Sequence, residues 1–503
     1  MGNFAVLLTS LGLLAGGALS WNASCPDYSS YSAQRHGPYS TGRRALSYMR
    51  PAPECRTFPH SYMVNSAIED LAKTIADPDL YRLFENTFPN TLDTAIKWYG
   101  FGSRAPDDIR AFIITGDIDA MWLRDSANQL LSYASLFKKT KGDDLIDYLF
   151  RGVIHQQARY ILTAPFCNSF QAPAESGIPP AHNSAADSDS VKPPYNSSLV
   201  FECKCELDSL AAFLRISNSY YEATSWISFY DDNDWVAAAQ TVFNVAKVMM
   251  SPTYDDNGFV LDNYYKFTRE TRRTTETQAN DGAGSPVGSG IGLIRSAFRP
   301  SDDSTLFQFN IPSNMMFASQ LKTSATIMTK LEAIGAALAG LAGEMAKLAT
   351  DLRVAIERQG IVYVSTDNGA DGAELIYAYE IDGYGSVAVM DDANIPSLLS
   401  APLYGYLDKA DPIYQRTRAR ILSQNEKNGN PYFMRGPVIN AVGSPHTGPG
   451  MAWPMASIVR IMTTDDDDEI IETLSELLNS TDGLGLIHES IDTFNQSHWT
   501  RQW

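Results

Sequence analysis

The sequence predicts an all-α fold in which paired helices form a closed toroid with small β-hairpin insertions. Many segments repeat apolar residues at three- and four-residue steps, which is the period of an amphipathic helix. Strand-like alternation is scarce, and polar loops rich in glycine and proline separate the helical segments. Composition does not change abruptly between residues 59 and 503, so we expect one domain over that range.

The strongest helical pattern covers residues 323–358, where one apolar stripe runs for many turns. Residues 361–365 and 377–381 alternate in polarity and predict a small hairpin. Residues 168–198 and 276–292 are rich in small and polar residues and predict long loops. The other predicted helices cover residues 65–76, 121–138, 144–163, 206–222, 233–250, 395–407, 411–424, 450–463 and 467–479.

The N-terminus predicts a secretory signal peptide over residues 1–20. A short apolar run, residues 4–15, is followed by small residues up to Ser20, and this run is too short to cross a bilayer. Residues 21–58 form a polar arm that we expect to pack on the domain. In a chain that enters the secretory pathway, Asn-x-Ser/Thr sequons are candidate glycan sites. The four sequons are at Asn22, Asn196, Asn479 and Asn495.

The formal net charge is −19. We therefore expect neither nucleic acid nor an anionic membrane as a partner, because both require a basic surface. The chain has five cysteines, an odd number, so at least one is not in an intramolecular disulfide. Cys25 is expected to pair with Cys55, and Cys167 with either Cys203 or Cys205. The spacing of the last two does not fit a zinc site.

The densest cluster of hydrogen-bonding side chains lies in residues 115–130, which also contain a tryptophan. This mixture is typical of a sugar-binding pocket, because hydroxyls need polar partners and a sugar ring packs on an aromatic face. The alternative is an ordinary helix N-terminus in which Arg124 pairs with Asp119 or Asp125. The candidate sugar contacts in this segment are Asp119, Trp122, Arg124, Asp125 and Asn128.

Four further loops combine acidic, basic and aromatic side chains, at residues 299–303, 379–396, 444–454 and 485–503. Each alone is equally compatible with a capped turn, but together they favour one polar pocket. The paired aspartates in these loops lack EF-hand spacing, and we predict no metal site. The candidate pocket residues are Arg299, Asp302, Asp391, Asn394, His446 and His488.

Hydrolysis of a glycosidic bond needs two carboxyl groups, one that protonates the leaving oxygen and one that activates water or attacks carbon. Glu489 follows a histidine and has a mainly apolar flank, which favours a perturbed carboxyl or a buried ion pair. Asp208 begins a predicted helix and, from its position alone, is best interpreted as a helix cap. The sequence contains no GxSxG, P-loop or HExxH motif.

Six motifs, in order, closely resemble those of glycoside hydrolase family 125. They are GDIDAMWLRDSANQ, ELDSL, FRPSDD, MDDANIPSLL, PHTGPGMAWPM and HESI. The similarity extends from about residue 60 to residue 503. The predicted signal peptide and the sequons fit a secreted member of fungal type.

The resemblance implies an (α/α)6 barrel and an exo-acting, inverting α-1,6-mannosidase that needs no metal or other cofactor. It implies that Asp208 is the general acid and Glu489 the general base. An inverting enzyme must fit a water between base and sugar, so we expect these carboxyls roughly 6.5–9.5 Å apart. Asp208 should be protonated and Glu489 ionised at working pH. The expected partner is a mannose-containing oligosaccharide, bound by a monomer.

Two alternatives remain open from the sequence. The same fold supports exo-glycosidases with another linkage or sugar specificity. A noncatalytic glycan-binding protein could keep the pocket, but it would not need two catalytic carboxyls.

Overall fold

The structure of this chain, a computed structural model, describes residues 25–58, 61–104, 108–138, 144–231, 234–365, 372–425 and 427–502. The predicted signal peptide and the sequon at Asn22 lie outside these residues. The described residues are mainly helical, which confirms the predicted fold class. The α-helices are α1 (Tyr28–Ser32), α2 (Tyr62–Leu71), α3 (Pro78–Thr87), α4 (Leu123–Leu131), α5 (Asp144–Thr163), α6 (Leu207–Thr224), α7 (Ser228–Asp231), α8 (Trp235–Val248), α9 (Ile311–Ala333), α10 (Leu341–Ala355), α11 (Pro412–Ile421), α12 (Pro454–Met462) and α13 (Asp467–Asn479).

Helix α6 is central to the body and packs against α4, α5 and α9. Its buried residues lie on every side of the helix, from Leu207 to Tyr220. A helix that is covered on all sides belongs to the interior of a large protein. Its first turn therefore carries Asp208 into a buried environment.

Short antiparallel sheets connect the helices and supply the hairpin insertions. Their strands are β1 (Ile96–Phe101), β2 (Ile109–Ile113), β3 (Met121–Trp122), β4 (Ser169–Phe170), β5 (Ser190–Lys192), β6 (Val200–Glu202), β7 (Lys266–Thr268), β8 (Phe309–Asn310), β9 (Ile361–Ser365), β10 (Ala373–Tyr377), β11 (Glu380–Ile381), β12 (Val387–Ala388), β13 (Phe433–Met434), β14 (Ala441–Val442), β15 (Met451–Ala452), β16 (Ser490–Asp492) and β17 (Trp499–Thr500). Strand β9 pairs with β10, so the predicted hairpin is present with its second strand four residues earlier than expected.

The sheet β3-β4-β6 determines where the most polar motifs meet. Strand β3 leads directly into α4, and β6 is followed closely by α6. Because β4 pairs with both β3 and β6, the first turns of α4 and α6 lie side by side. The Cys167–Cys203 disulfide links the approaches to β4 and α6, and Cys205 is buried and unpaired.

The predicted helix over residues 323–358 is wrong in its bounds, because two helices, α9 and α10, cover this region. Gly335 and Gly340 between them have φ of +78° and +93°, a left-handed conformation that a continuous helix does not allow. Helix α9 also begins earlier, where Asn310 caps it by accepting a hydrogen bond from the Ser313 N–H.

The predicted helix over residues 395–407 is also wrong, since only Ala401–Tyr404 forms a helical turn there. Pro396 disfavours helical backbone in the residue before it. The N–H groups of Leu398 and Leu399 instead bind the carboxylate of Asp391 at 2.9 and 3.0 Å.

The N-terminal arm, residues 25–58 in the structure, packs on the helical body. Leu46 and Met49 are fully buried, and Arg44 donates hydrogen bonds to Asn479 at 3.0 and 2.7 Å. The Cys25–Cys55 disulfide closes this arm, as expected. Within the described ranges, we find no helix long and apolar enough to span a membrane.

Candidate active site

A cavity of about 820 Å³ lies beside the first turns of α4 and α6. Its size is within the range of roughly 300–1,000 Å³ that is typical of ligand sites. Acidic, basic and aromatic side chains from several distant segments line it. The predicted residues in this lining are Asp119, Trp122, Arg124, Asp125, Asp302, Asn394, His446, His488 and Glu489.

Arg124 links the carboxylates of the two adjoining helix ends. Its Nη1 donates to Glu206 Oε2 at 3.2 Å and to Asp208 Oδ2 at 3.1 Å, and its Nη2 donates to Asp125 at 3.2 Å. Arg124 is therefore both a structural ion-pair partner and part of the cavity wall, so the two interpretations of this segment are compatible. Asp119, the other partner considered, pairs with Lys97 at 2.9 Å.

Asn168 connects a second pair of carboxylates. Its Nδ2 donates to Glu206 Oε1 and to Asp302 Oδ1, both at 3.2 Å, and its Oδ1 accepts the Lys204 N–H at 3.0 Å. Asp302 has a φ of +64°, an uncommon value for a residue with a side chain, which often marks a functional site. Asn168 thus holds Glu206 and Asp302 next to each other.

The carboxyls of this network titrate differently. Burial raises the pKa of Asp208 to about 6, against the opposing effect of Arg124. Burial and the neighbouring Asp302 raise the pKa of Glu206 well above its usual range. Burial opposes ionisation of Asp302 too, but Lys204 and Arg124 outweigh it and lower that pKa to about 2. The pKa values of these two neighbouring carboxyls are therefore shifted in opposite directions, up for Glu206 and down for Asp302.

Asp208 and Asp302 differ in their access to the cavity. Asp208 has an exposed fraction of 0% and does not line the cavity. Asp302 is only partly buried and forms part of the wall. A carboxyl that protonates a bound substrate must reach it, so this difference bears on the choice of acid.

Glu489 lies in the wall contributed by the C-terminal segment. Its Oε2 accepts a hydrogen bond from Thr500 Oγ1 at 2.8 Å, and its Oε1 lies 3.2 Å from Arg501 Nε. Arg501 also forms an ion pair with Asp117. These two donors fix the orientation of the Glu489 carboxylate in the wall.

The remaining predicted lining residues have defined orientations. His446 lies 3.5 Å from Asp303; burial lowers its pKa, but Asp303 outweighs burial and the net pKa is raised. Trp122 packs edge-on against Phe201, with ring centroids 5.5 Å apart. Asn394 donates a hydrogen bond to Asp392 at 3.1 Å. These contacts place aromatic and hydrogen-bonding groups on one cavity.

Three predicted sugar contacts lie outside the cavity lining and have structural partners instead. Asn128 accepts a hydrogen bond from Arg215 at 3.2 Å. Arg299 makes a buried two-bond pair with Glu380, at 2.6 and 3.0 Å. Asp391 accepts backbone N–H groups inside its own loop. We therefore do not assign Asn128, Arg299 or Asp391 to sugar binding.

The sequence interpretation missed several lining residues. Lys204, Asp117 and Arg501 are charged, and residues 182–185 and Phe201 come from the predicted loop and β6. Lys204 lies between Cys203 and Cys205, and a single lysine between two cysteines carries no pattern that predicts sugar binding. The described residues include no group of three or more His, Cys, Asp or Glu side chains placed to hold a metal ion.

Comparisons with known proteins agree with the motif pattern. A family model described as metal-independent alpha-mannosidase (GH125) matches residues 77–503. The "Meiotically up-regulated gene 157 protein" of Schizosaccharomyces pombe is 44% identical over 486 residues, 96% of this chain and 90% of that protein. A solved metal-independent alpha mannosidase of Streptococcus pneumoniae, in a non-productive substrate complex with alpha-1,6-mannobiose, is 31% identical with a TM-score of 0.74. That match covers 88% of this chain and 95% of the bacterial one, and the shared fold is the predicted (α/α)6 type.

Proposed function

This chain belongs to the GH125 family of metal-independent alpha-mannosidases, and from this we propose that it is an exo-acting, inverting α-1,6-mannosidase. The observation that carries the proposal is a single cavity with Asp302 and Glu489 in its wall, contributed by segments far apart in the chain. The α-1,6 linkage is supported by the mannobiose bound to the bacterial relative. The substrate class is mannosides or N-glycans that end in such a mannose.

The proposed reaction is a single displacement. Glu489 takes a proton from water as the water attacks the anomeric carbon, and a carboxylic acid gives a proton to the departing oxygen. The bond to the leaving sugar breaks and the new hydroxyl has the opposite configuration. Arg501 and Thr500 beside Glu489 orient its carboxylate for this role.

We assign the proton donor to Asp302 in preference to Asp208. Asp302 lines the cavity, whereas Asp208 has an exposed fraction of 0% and pairs with Arg124. We propose that Glu206, whose pKa is raised, gives a proton to the neighbouring Asp302, and that Asp302 passes it to the leaving oxygen. The assignment of Asp208 from the resemblance stays the alternative, supported by its raised pKa of about 6.

Exo action requires the cavity to be closed behind one mannose. Asp117 and Arg501 form an ion pair in the wall, and Trp122, Asp119 and Arg124 stand in the same lining. We propose that these groups enclose the terminal sugar. The aromatic face of Trp122 suits the sugar ring, and the charged groups suit its hydroxyls.

We also propose that the protein works in the secretory pathway or outside the cell. Two disulfides support this location, since disulfides persist mainly in oxidising compartments. The sequon residues Asn196 and Asn495 are exposed, as glycan attachment requires.

A panel of α-1,6-, α-1,2- and α-1,3-linked mannobiose tests the proposal, with released mannose as the readout. We expect release from the α-1,6 dimer and little from the others. The Glu489→Gln variant is expected to lose activity by at least ~10²-fold, because it cannot activate water. Faster release of mannose from the α-1,2 or the α-1,3 dimer than from the α-1,6 dimer would contradict the proposed α-1,6 specificity. Binding without release from any of the three would favour the glycan-binding alternative.

A further inference from the structure

The carboxylate of Glu489 is held from both sides by two consecutive residues near the C-terminus. Thr500 Oγ1 lies 2.8 Å from Oε2, and Arg501 Nε lies 3.2 Å from Oε1. Thr500 donates its hydroxyl proton to Glu489, so its oxygen is left to accept. Ser490, 2.7 Å from Thr500 Oγ1, must then donate to Thr500. This fixes the direction of a short hydrogen-bond chain that ends on Glu489.

The segment that carries these two residues is anchored to the strand after Glu489. Strand β17 pairs with β16, and the Glu489 N–H donates to the Thr500 carbonyl at 3.2 Å. Trp499 stacks on His488 with ring centroids 4.5 Å apart and an interplanar angle of 3°. The side chains of Thr500 and Arg501 are thus placed by backbone pairing and ring packing.

Arg501 also connects Glu489 to the segment that precedes α4. It forms an ion pair with Asp117, which lies just before α4. Arg501 is therefore a cation between two carboxylates that line the same cavity. Without it, two neighbouring negative charges in the cavity wall would repel each other.

We propose that Thr500 and Arg501 are positioning residues for the general base. Thr500 fixes the orientation of the Glu489 carboxylate, and Arg501 holds that carboxylate in place and separates its charge from that of Asp117. The inference rests on the proposed hydrolase function and on Glu489 as its base. The C-terminal segment that carries Thr500 and Arg501 would then affect turnover through Glu489.

The test uses two substitutions with conservative counterparts. Thr500→Val removes the donated hydrogen bond, whereas Thr500→Ser keeps the hydroxyl. We expect Thr500→Val to lower kcat on α-1,6-mannobiose by roughly tenfold to a hundredfold, the range associated with misplaced catalytic groups. Its KM should change less than about twofold, because Thr500 does not line the cavity. Thr500→Ser should restore most of kcat.

Arg501→Met removes the cation, and Arg501→Lys keeps a charge at the same place. We expect a kcat loss of roughly tenfold or more for Arg501→Met, and substantial recovery in Arg501→Lys. His498→Ala is the matched control, because His498 is in the same segment and pairs only with the surface carboxylate of Asp492 among the described residues. Its kcat should equal that of the wild type.

Thermal unfolding of each variant separates positioning from folding, since a folded variant keeps the wild-type Tm within a few degrees. Wild-type kcat in folded Thr500→Val and Arg501→Met would overturn the inference while the proposed function stands. A wild-type protein that releases no mannose from any dimer would overturn both. Equal kcat losses in the Val and Ser variants would also contradict it, because the retained hydroxyl would then be irrelevant.

Discussion

Asp208 and Asp302 belong to one buried hydrogen-bond network but differ in their access to the cavity. Arg124 holds Asp208 at 3.1 Å, and Asn168 holds Asp302 at 3.2 Å. The sequence resemblance implies Asp208 as the acid and Asp302 as a pocket residue, but it carries no information on exposure, which depends on how α6 is buried. We propose Asp302 as the acid because it lines the cavity, whereas Asp208 does not.

A comparison of leaving groups tests this ranking. Asp302→Asn should lower kcat on α-1,6-mannobiose by about 10²–10⁴-fold, the usual contribution of a general acid. It should keep most of its turnover on 2,4-dinitrophenyl α-mannoside, whose leaving group departs without a proton. Asparagine is a suitable replacement because it tolerates the positive φ at this position. The measurement is kcat on both substrates for the Asp302→Asn variant and for the wild type.

Asp208→Asn is the matched control for that experiment. Asparagine keeps the side-chain shape of Asp208 and stays in contact with Arg124. Any loss of kcat in this variant should be the same on the two substrates, because our account does not make Asp208 the proton donor. A selective loss on the mannobiose in Asp208→Asn, with none in Asp302→Asn, would restore Asp208 as the acid.

Single residues also show where sequence interpretation stops. Asp117 and Arg501 are 384 residues apart in the chain and form an ion pair in the cavity wall. No local pattern connects two residues at that separation. Conversely, the motif around Arg299 predicts a sugar contact, but in the structure the Arg299 side chain pairs with Glu380.

At the scale of elements, helices with an uninterrupted apolar period were predictable, and the connections between helices were not. Residues 144–163 and 467–479 were predicted with the bounds that α5 and α13 have. The predicted helix over residues 323–358 failed because Ile334 and Leu338 were counted in its apolar stripe, whereas their exposed fractions are 57% and 63%. They lie in the connection between two helices, where burial no longer follows the helical period.

The loop that replaces the predicted helix at residues 395–407 depends on Asp391. Burial raises the pKa of Asp391 to about 8, far above the ordinary value near 4. Between about pH 4 and pH 8, Asp391 is therefore protonated in the folded protein and ionised in the unfolded chain. Stability from this group is present at low pH and is lost as pH rises through that window.

Asp391→Asn tests this effect through the free energy of unfolding. The variant has no carboxyl to titrate, and its loss of one backbone hydrogen bond is independent of pH. The difference between variant and wild type should therefore shift in favour of the variant from pH 5 to pH 8, by at most about 1.4 kcal/mol per pH unit. Urea unfolding at several pH values measures it. A difference that does not vary with pH would show that Asp391 is ionised throughout.

At the scale of the whole molecule, the mainly helical body and the family were both predictable. Six ordered motifs predicted the (α/α)6 fold. The bacterial mannosidase, which is 31% identical to this chain, shares that fold. The three-stranded sheet β3-β4-β6 was not predictable, because each of its strands has only two or three residues. Yet this sheet brings Arg124, Asn168 and Glu206 together, so a small unpredicted element organises the site.

The central claim is that one cavity catalyses a single displacement at an α-1,6-linked mannose. Proton NMR during the first minutes of α-1,6-mannobiose hydrolysis tests it most directly, because the anomer is visible before the product equilibrates. Our account predicts that β-mannose appears first and then converts to the equilibrium mixture. Initial formation of α-mannose would contradict inversion and the assignment of Glu489 as a base that activates water.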